Sequence, residues 1–186
     1  MARRALPISM EHSILALLDE EPMHGYEIHQ RLNKMSGIDK IWNLKQALLY
    51  SKLERLESSG FIEQITSSDP GTLPARNVFK LTPAGKQSLM EWIATPVQKA
   101  RNIRMDFLGK LIIARRYGTD HALNLIQKQR EVSQTWYDHL VKELPESDEQ
   151  NLDDLFVHSY RLYRDRASLH WLDYLETQIK KVSGIE

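Results

Sequence analysis

Residue types able to do covalent or metal chemistry are thinly spread along this chain of 186 residues. It has no cysteine, which excludes disulfides, thiolate nucleophiles and cysteine-bearing zinc sites. The histidines, at 12, 24, 29, 121, 139, 158 and 170, include no pair four residues apart. Asp154 and His158 do have one-turn spacing on a helix, but two ligands do not make a metal site. The Gly-Lys of "TPAGKQS" would need a glycine at 80 and a Ser or Thr at 87 to form a phosphate loop, and Lys80 and Gln87 stand there. With no serine elbow and no motif of paired carboxylates, neither an enzyme nor a cofactor is expected. What remains is a stretch rich in hydrogen-bonding groups, "NLKQALLYSKLERLESSGF", residues 43–61.

Wound as a helix, that stretch explains half of itself. Leu49, Leu53 and Leu56 fall at i, i+4 and i+7 and make one stripe that must face a core. Ala47, Tyr50, Ser51 and Glu54 point the other way, with Leu48 on the flank and Lys45 and Gln46 at the N-terminus. A surface helix in so charged a protein would ordinarily carry longer charged side chains on that face. Lys plus Arg equal Asp plus Glu at 25 each, so net charge points to no polyanionic or polycationic partner. The local balance differs. Between Arg31 and Arg55 the bases Arg31, Lys34, Lys40, Lys45, Lys52 and Arg55 face only Asp39 and Glu54.

The elements around this helix follow from capping and periodicity. Ser9 caps a first helix that has Glu11 in its first turn, and Pro22 and Gly25 break it. A second helix carries Ile28 and Leu32 on one face, with Gly37 past its end. "IDKIWN" reads as a short link, and Gly60 ends the quoted helix. "FIEQIT" and "NVFKLT" then read as two strands, because the proline- and glycine-bearing spacer between them suits a hairpin loop. Thr82-Pro83 opens another helix. Three helices and a hairpin are the order of a winged helix-turn-helix. Beyond Thr95 only helices are expected, over residues 101–118, 120–143 and about 150–182. The fold class is therefore mainly α with a small β-hairpin, a winged helix-turn-helix over 1–92 followed by an all-helical domain over 93–186. Long amphipathic helices on so small a domain point to a homodimer. No apolar run approaches the ~20 residues needed to span a bilayer, so a soluble, cytoplasmic protein is expected.

Three segments carry a resemblance. "PMHGYEI", "LLYSKLERLESSGFIE" and "FKLTPAGK" hold Gly25-Tyr26, then Leu49-Tyr50, Leu53, Leu56-Glu57 and Gly60, then Leu81-Thr82 with Gly85. In this order and spacing the region of residues 8–92 resembles the PadR family of bacterial transcription regulators. "RMDFLGKL" and "SLHWLDYLETQI" are similar to the longer subgroup, whose helical C-terminal domain is related to that of a virulence activator.

The resemblance implies that the third helix enters the DNA major groove and that its small face is kept clear for base edges. Gln46 would then bond an adenine edge, Ser51 donate or accept, and Leu48 meet a thymine methyl, with Ala47 giving close approach. Tyr50, Lys45 and Lys52 would contact phosphates, joined by Arg76 and Lys80 from the wing. The implied partners are double-stranded DNA with a palindromic operator and a second copy of the chain, with no membrane. A small aromatic effector is a further possibility, for which Trp92, Trp136, Tyr163 and Trp171 offer either a pocket or a dimer core. The alternative is a winged helix that grips a protein instead of DNA.

Overall fold

Eight consecutive residues of helix α1 (Ser9–Glu20), from Glu11 to Leu18, are buried. A surface helix hides one stripe, so a helix hidden on every side must be central. The computed structural model describes residues 9–42, 45–66, 77–143 and 152–184. Within them α1 packs against α2 (Gly25–Lys34), strand β3 (Asn77–Leu81), α5 (Pro83–Ala94) and α6 (Leu108–Arg116). The remaining elements are β1 (Met23–His24), α3 (Ile38–Ile41), α4 (Gln46–Ser58), β2 (Ile62–Thr66), α7 (Thr119–Lys142) and α8 (Leu152–Ser183).

The three strands form an antiparallel sheet in the order β1-β3-β2. Ile62 pairs with Leu81 and Thr66 with Asn77, so the hairpin has the expected frame. The sequence reading lacks β1, because two residues carry no periodicity, and its pairing of Met23 with Phe79 exists only after β3 has folded over α1. "IDKIWN", expected as a link, instead contains the one-turn helix α3, opened by Gly37 at φ 89° and a backbone bond to the Asp39 carboxylate.

The Leu-Thr-x-x-Gly segment is a clasp between the wing and α5. Thr82 Oγ1 donates to the Gly60 and Phe61 carbonyls at 2.8 and 3.0 Å and accepts from the Gly85 amide at 3.1 Å. A Cβ on Gly85 would lie 2.1 Å from the Phe61 carbonyl oxygen, so only glycine fits.

Residues 101–118, expected as one helix, start differently. A 3-10 turn (Ala100–Asn102) and a π-helical turn (Ile103–Phe107) precede α6. The wide turn seats Phe107 in the core, edge-on to Trp171 at 5.9 Å. Next to it Gly109 lies against Trp42, where a Cβ would come within 2.3 Å of the indole. One apolar cluster thus runs from α1 and α4 into α6, α7 and Leu172 of α8. Polar ties reinforce it: Asp19 accepts from Lys86 Nζ at 2.5 Å and from the Tyr117 hydroxyl at 2.6 Å, and Arg116 pairs with Glu20. Burial, with the Asp19 bond second, pushes the Tyr117 phenol well above its ordinary pKa.

Lys110 lies in the same seam, buried beneath Trp92 with its Nζ 2.6 Å from the Thr95 carbonyl. Burial lowers it from 10.5 to about 8, against the opposing pull of Asp106. The unfolded chain keeps this proton up to its ordinary value, so between these limits the unfolded state binds more protons and stability rises with pH from this group. Lys110→Met removes that contribution. Between pH 7 and pH 10.5 the wild type is expected to gain on the variant by up to about 3 kcal/mol of unfolding free energy in paired denaturant titrations. Gly85→Ala is expected to destabilise the wing by roughly 1–3 kcal/mol, read as a lower thermal midpoint.

Candidate nucleic-acid interface

Helix α4 has the two faces its sequence describes. Leu49, Leu53 and Leu56 are buried, each contributing about 2 kcal/mol by removal of apolar surface from water. Lys45, Gln46, Ala47, Leu48, Tyr50, Ser51 and Glu54 are exposed. Lys45 is the N-cap, with no side-chain bond to the helix, so the positive end of the helix dipole and a free ammonium coincide. Gln46 and Ala47 follow in the first turn. Ser51 Oγ donates to the Leu48 carbonyl at 2.9 Å, which leaves the hydroxyl an acceptor toward anything outside the helix.

Tyr50 is held from beneath. A Cβ on Gly25 would lie 2.9 Å from the Tyr50 ring, so the glycine of the Gly-Tyr pair is where the α4 tyrosine rests. Tyr26 itself is exposed and accepts a 2.7 Å bond from Gln30. Tyr50, Gly25 and Phe79 line a groove of about 850 Å³ between α4 and the wing, and Glu54 and Glu57 give its rim a negative charge, while Glu27 there is paired with Arg31. The two ends of α4 therefore differ in sign.

Lys52 departs from the arrangement expected of a phosphate ligand. Its side chain is 19% exposed and its Nζ lies 3.5 Å from Glu11, which Arg55 also reaches at 3.1 Å. Glu11 is fully buried, and a buried carboxylate requires such partners. The sequence reading placed Glu11 only at the helix dipole; the Lys52-x-x-Arg55 spacing was the available signal, two bases on one side of α4. Arg31 is likewise engaged, by Glu21 and Glu27 at 2.5 and 2.7 Å. Of the local surplus of bases, the side chains of Lys34, Lys40 and Lys45 make no hydrogen bond or ion pair among the described residues. Lys34 and Lys40 had drawn no functional assignment.

On the wing, Lys80 is exposed and 3.8 Å from Glu63 across the hairpin. Arg76 lies outside the described residues. The four aromatics read as a pocket or dimer core are dispersed. Trp92 stacks on His12 at 4.6 Å and 2°, Trp171 packs on Phe107, Trp136 lines a separate cleft, and Tyr163 is exposed on α8. The structure does not bring them to one site. Among the described residues there is no cluster of three or more possible metal ligands, and no helix is long and apolar enough to cross a membrane.

Residues 14–91 match the transcriptional regulator PadR-like family. That span, 78 of the chain's 186 residues, is similar to the family. The matched span runs from the middle of α1 into α5 and contains β1, α2, α3, α4, β2 and β3 whole. The negative transcriptional regulator PadR of Bacillus subtilis is 26% identical over 120 residues, 64% of this chain and 64% of that protein's length. The chain thus spans just under two thirds of that relative. Among solved structures, the B. subtilis PadR complex with operator DNA is 21% identical, covers 92% of this chain and 99% of that one, and has a TM-score of 0.44. A PadR family regulator from Clostridium difficile R20291 is 27% identical, covers 46% of this chain and 88% of that one, and has a TM-score of 0.39.

Glu11→Gln keeps the size of the side chain and removes the charge that holds Lys52 and Arg55. It is expected to lower stability by about 1–3 kcal/mol in denaturant titrations, and Glu11→Asp by less.

Proposed function

We propose that this chain is a homodimeric, sequence-specific DNA-binding repressor of the PadR family, cytoplasmic, with residues 1–92 on DNA and 93–186 forming the dimer. The observation that carries this reading is the exposed, small face of α4, with unpaired Lys45 at its positive end. A major groove about 12 Å wide admits a helix whose facing side chains are modest and hydrogen-bonding. Gln46, Ser51 and Leu48 meet base edges and Ala47 allows the approach, while Lys45, Tyr50, Lys80 and Arg76 take phosphates. Lys52 joins them only by leaving Glu11. The acidic rim beside Glu54 and Glu57 turns the C-terminal half of α4 away from the phosphates.

Dimerisation is supported by α8. Leu152, Leu155, Phe156, Tyr160 and Tyr163 form one stripe on its N-terminal half, with Phe156 62% exposed and Tyr163 68% exposed. So contiguous an apolar face marks an interaction surface. A second copy covering it would place two recognition helices about a two-fold axis, over palindromic half-sites ~10 base pairs apart or a multiple of that. Release by a small aromatic effector would act as a shift toward a dimer with misplaced heads. The acidic groove beside α4 favours one rival, a winged helix that grips a basic protein segment.

Fluorescence anisotropy with DNA from upstream of the protein's own coding sequence, a scrambled competitor and a salt titration separates these readings. DNA binding predicts an affinity falling with salt at a log–log slope of about −0.9 per phosphate contact. Gln46→Ala is expected to lose ~1–3 kcal/mol on the cognate site and little on scrambled DNA. Equal losses on both would remove its base-reading role. Phe156→Asp is expected to convert a dimer to a monomer in size-exclusion chromatography with light scattering, with its helical circular dichroism retained.

A further inference from the structure

A second site lies away from α4. Between the 3-10 turn at 100–102, α7 and α8 there is a cleft of about 490 Å³, lined by Lys99, Arg101, Trp136, Arg161, Arg164 and the buried Asp165. That volume falls in the range of small-molecule sites. Asp165 is 2% exposed and accepts from Arg164 Nε at 2.7 Å, so one guanidinium is fixed by a carboxylate beneath it. The side chains of Lys99, Arg101 and Arg161 make no hydrogen bond or ion pair among the described residues. His139, on the rim, is 3.2 Å from Glu143.

Asp165 is taken up by Arg164, and Glu143 and Asp154 lie on the far side of Arg161, so among the described residues the bases at this cleft outnumber the acids, and like charges so gathered destabilise one another. A chain with 25 acidic residues for 25 basic ones has the means to pair them, as it does around Glu11. Three cations open to one cleft instead fit a ligand that brings its own negative charge. Their number favours a phosphate ester over a monocarboxylate, and arginine's planar fork matches phosphate oxygens two at a time. Trp136 supplies an aromatic wall, suited to a flat ring.

We propose that this cleft binds a small phosphate ester bearing a flat aromatic ring, with Trp136 against the ring and Lys99, Arg101 and Arg161 on the phosphate. The proposal deepens the effector part of the proposed function and gives it a place. Lys99 and Arg101 belong to the connection between α5 and α6, so an occupant ties that connection to the α7–α8 pair. Binding here is read without DNA, so failure of the operator experiment and failure of this site are separate results.

The test is calorimetric titration of the full chain with 1-naphthyl phosphate, with 1-naphthol and inorganic phosphate as the two halves of the probe. Naphthyl phosphate is expected to bind at least about tenfold more tightly than either half. Arg161→Glu is expected to weaken it by about tenfold or more, and Trp136→Leu to reduce the preference over inorganic phosphate. Arg161 is exposed and makes no ion pair among the described residues, so its variant should keep the wild-type thermal midpoint, and this arm stands even if Trp136→Leu fails to fold. Unchanged binding in Arg161→Glu, or no heat at millimolar probe, overturns the proposal. Inorganic phosphate binding as tightly as the ester reduces the site to a simple anion sink and overturns it too. Affinity for the probe that weakens as protein concentration rises would instead assign the cleft to a second copy of the chain.

Discussion

A carboxylate with no access to water has to be met by cations, and Glu11 of α1 is such a carboxylate. Lys52 and Arg55, both from α4, pair with it. The leucine stripe alone would let α4 slide or rotate over an apolar bed, since burial is not directional. The two ion pairs add direction. They hold the helix so that Gln46, Ala47, Leu48, Tyr50 and Ser51 look outward, and they engage two of its bases in doing so.

From α1 the same constraint spreads outward. The helix is buried all round, so its other sides are met by α2, β3, α5 and α6. Trp42, just before α4, rests on Gly109 of α6, and Asp19 near the end of α1 takes both Lys86 and Tyr117. The winged helix and the helical C-terminal part are joined by packed side chains as well as by a peptide link. The Trp42 indole, close against Gly109, is one of these contacts between α6 and the winged helix.

Charge is divided in the same economical way. Arg31, Lys52 and Arg55 are engaged by carboxylates inside the winged helix, while Lys34, Lys40 and Lys45 have no ion pair among the described residues. In the C-terminal part Arg130 is held by Asp173 and Glu176, and Glu176, bonded by Lys180 and Arg130, has its pKa lowered. Lys99, Arg101 and Arg161 again have no ion pair among the described residues. Helix α8 follows the same division along its length: Leu172, Leu175 and Ile179 join the core, while its first turns expose leucine, phenylalanine and tyrosine.

The sequence by itself determined what depends on neighbours along the chain. The apolar stripe of α4, the Thr82 cap, the hairpin frame and the stops at Gly60 and Gly118 all rest on local periodicity or backbone freedom, and they appear where the residues put them. The small outward face of α4 was legible for the same reason. Its meaning came from the family motif, whose glycines make sense as close contacts, Gly25 under Tyr50 and Gly85 against the Phe61 carbonyl. Only the tertiary structure decided which bases are engaged, because Glu11 and Lys52 meet across 41 positions of chain, and the Lys52-x-x-Arg55 spacing marks two bases on one side of α4 without naming the carboxylate they meet. It also decided that four aromatics at helical spacing lie in different surroundings, that two residues at 23–24 complete a sheet, and that the helix before Gly118 begins with a wide turn. Each depends on packing partners distant in sequence, which periodicity cannot name.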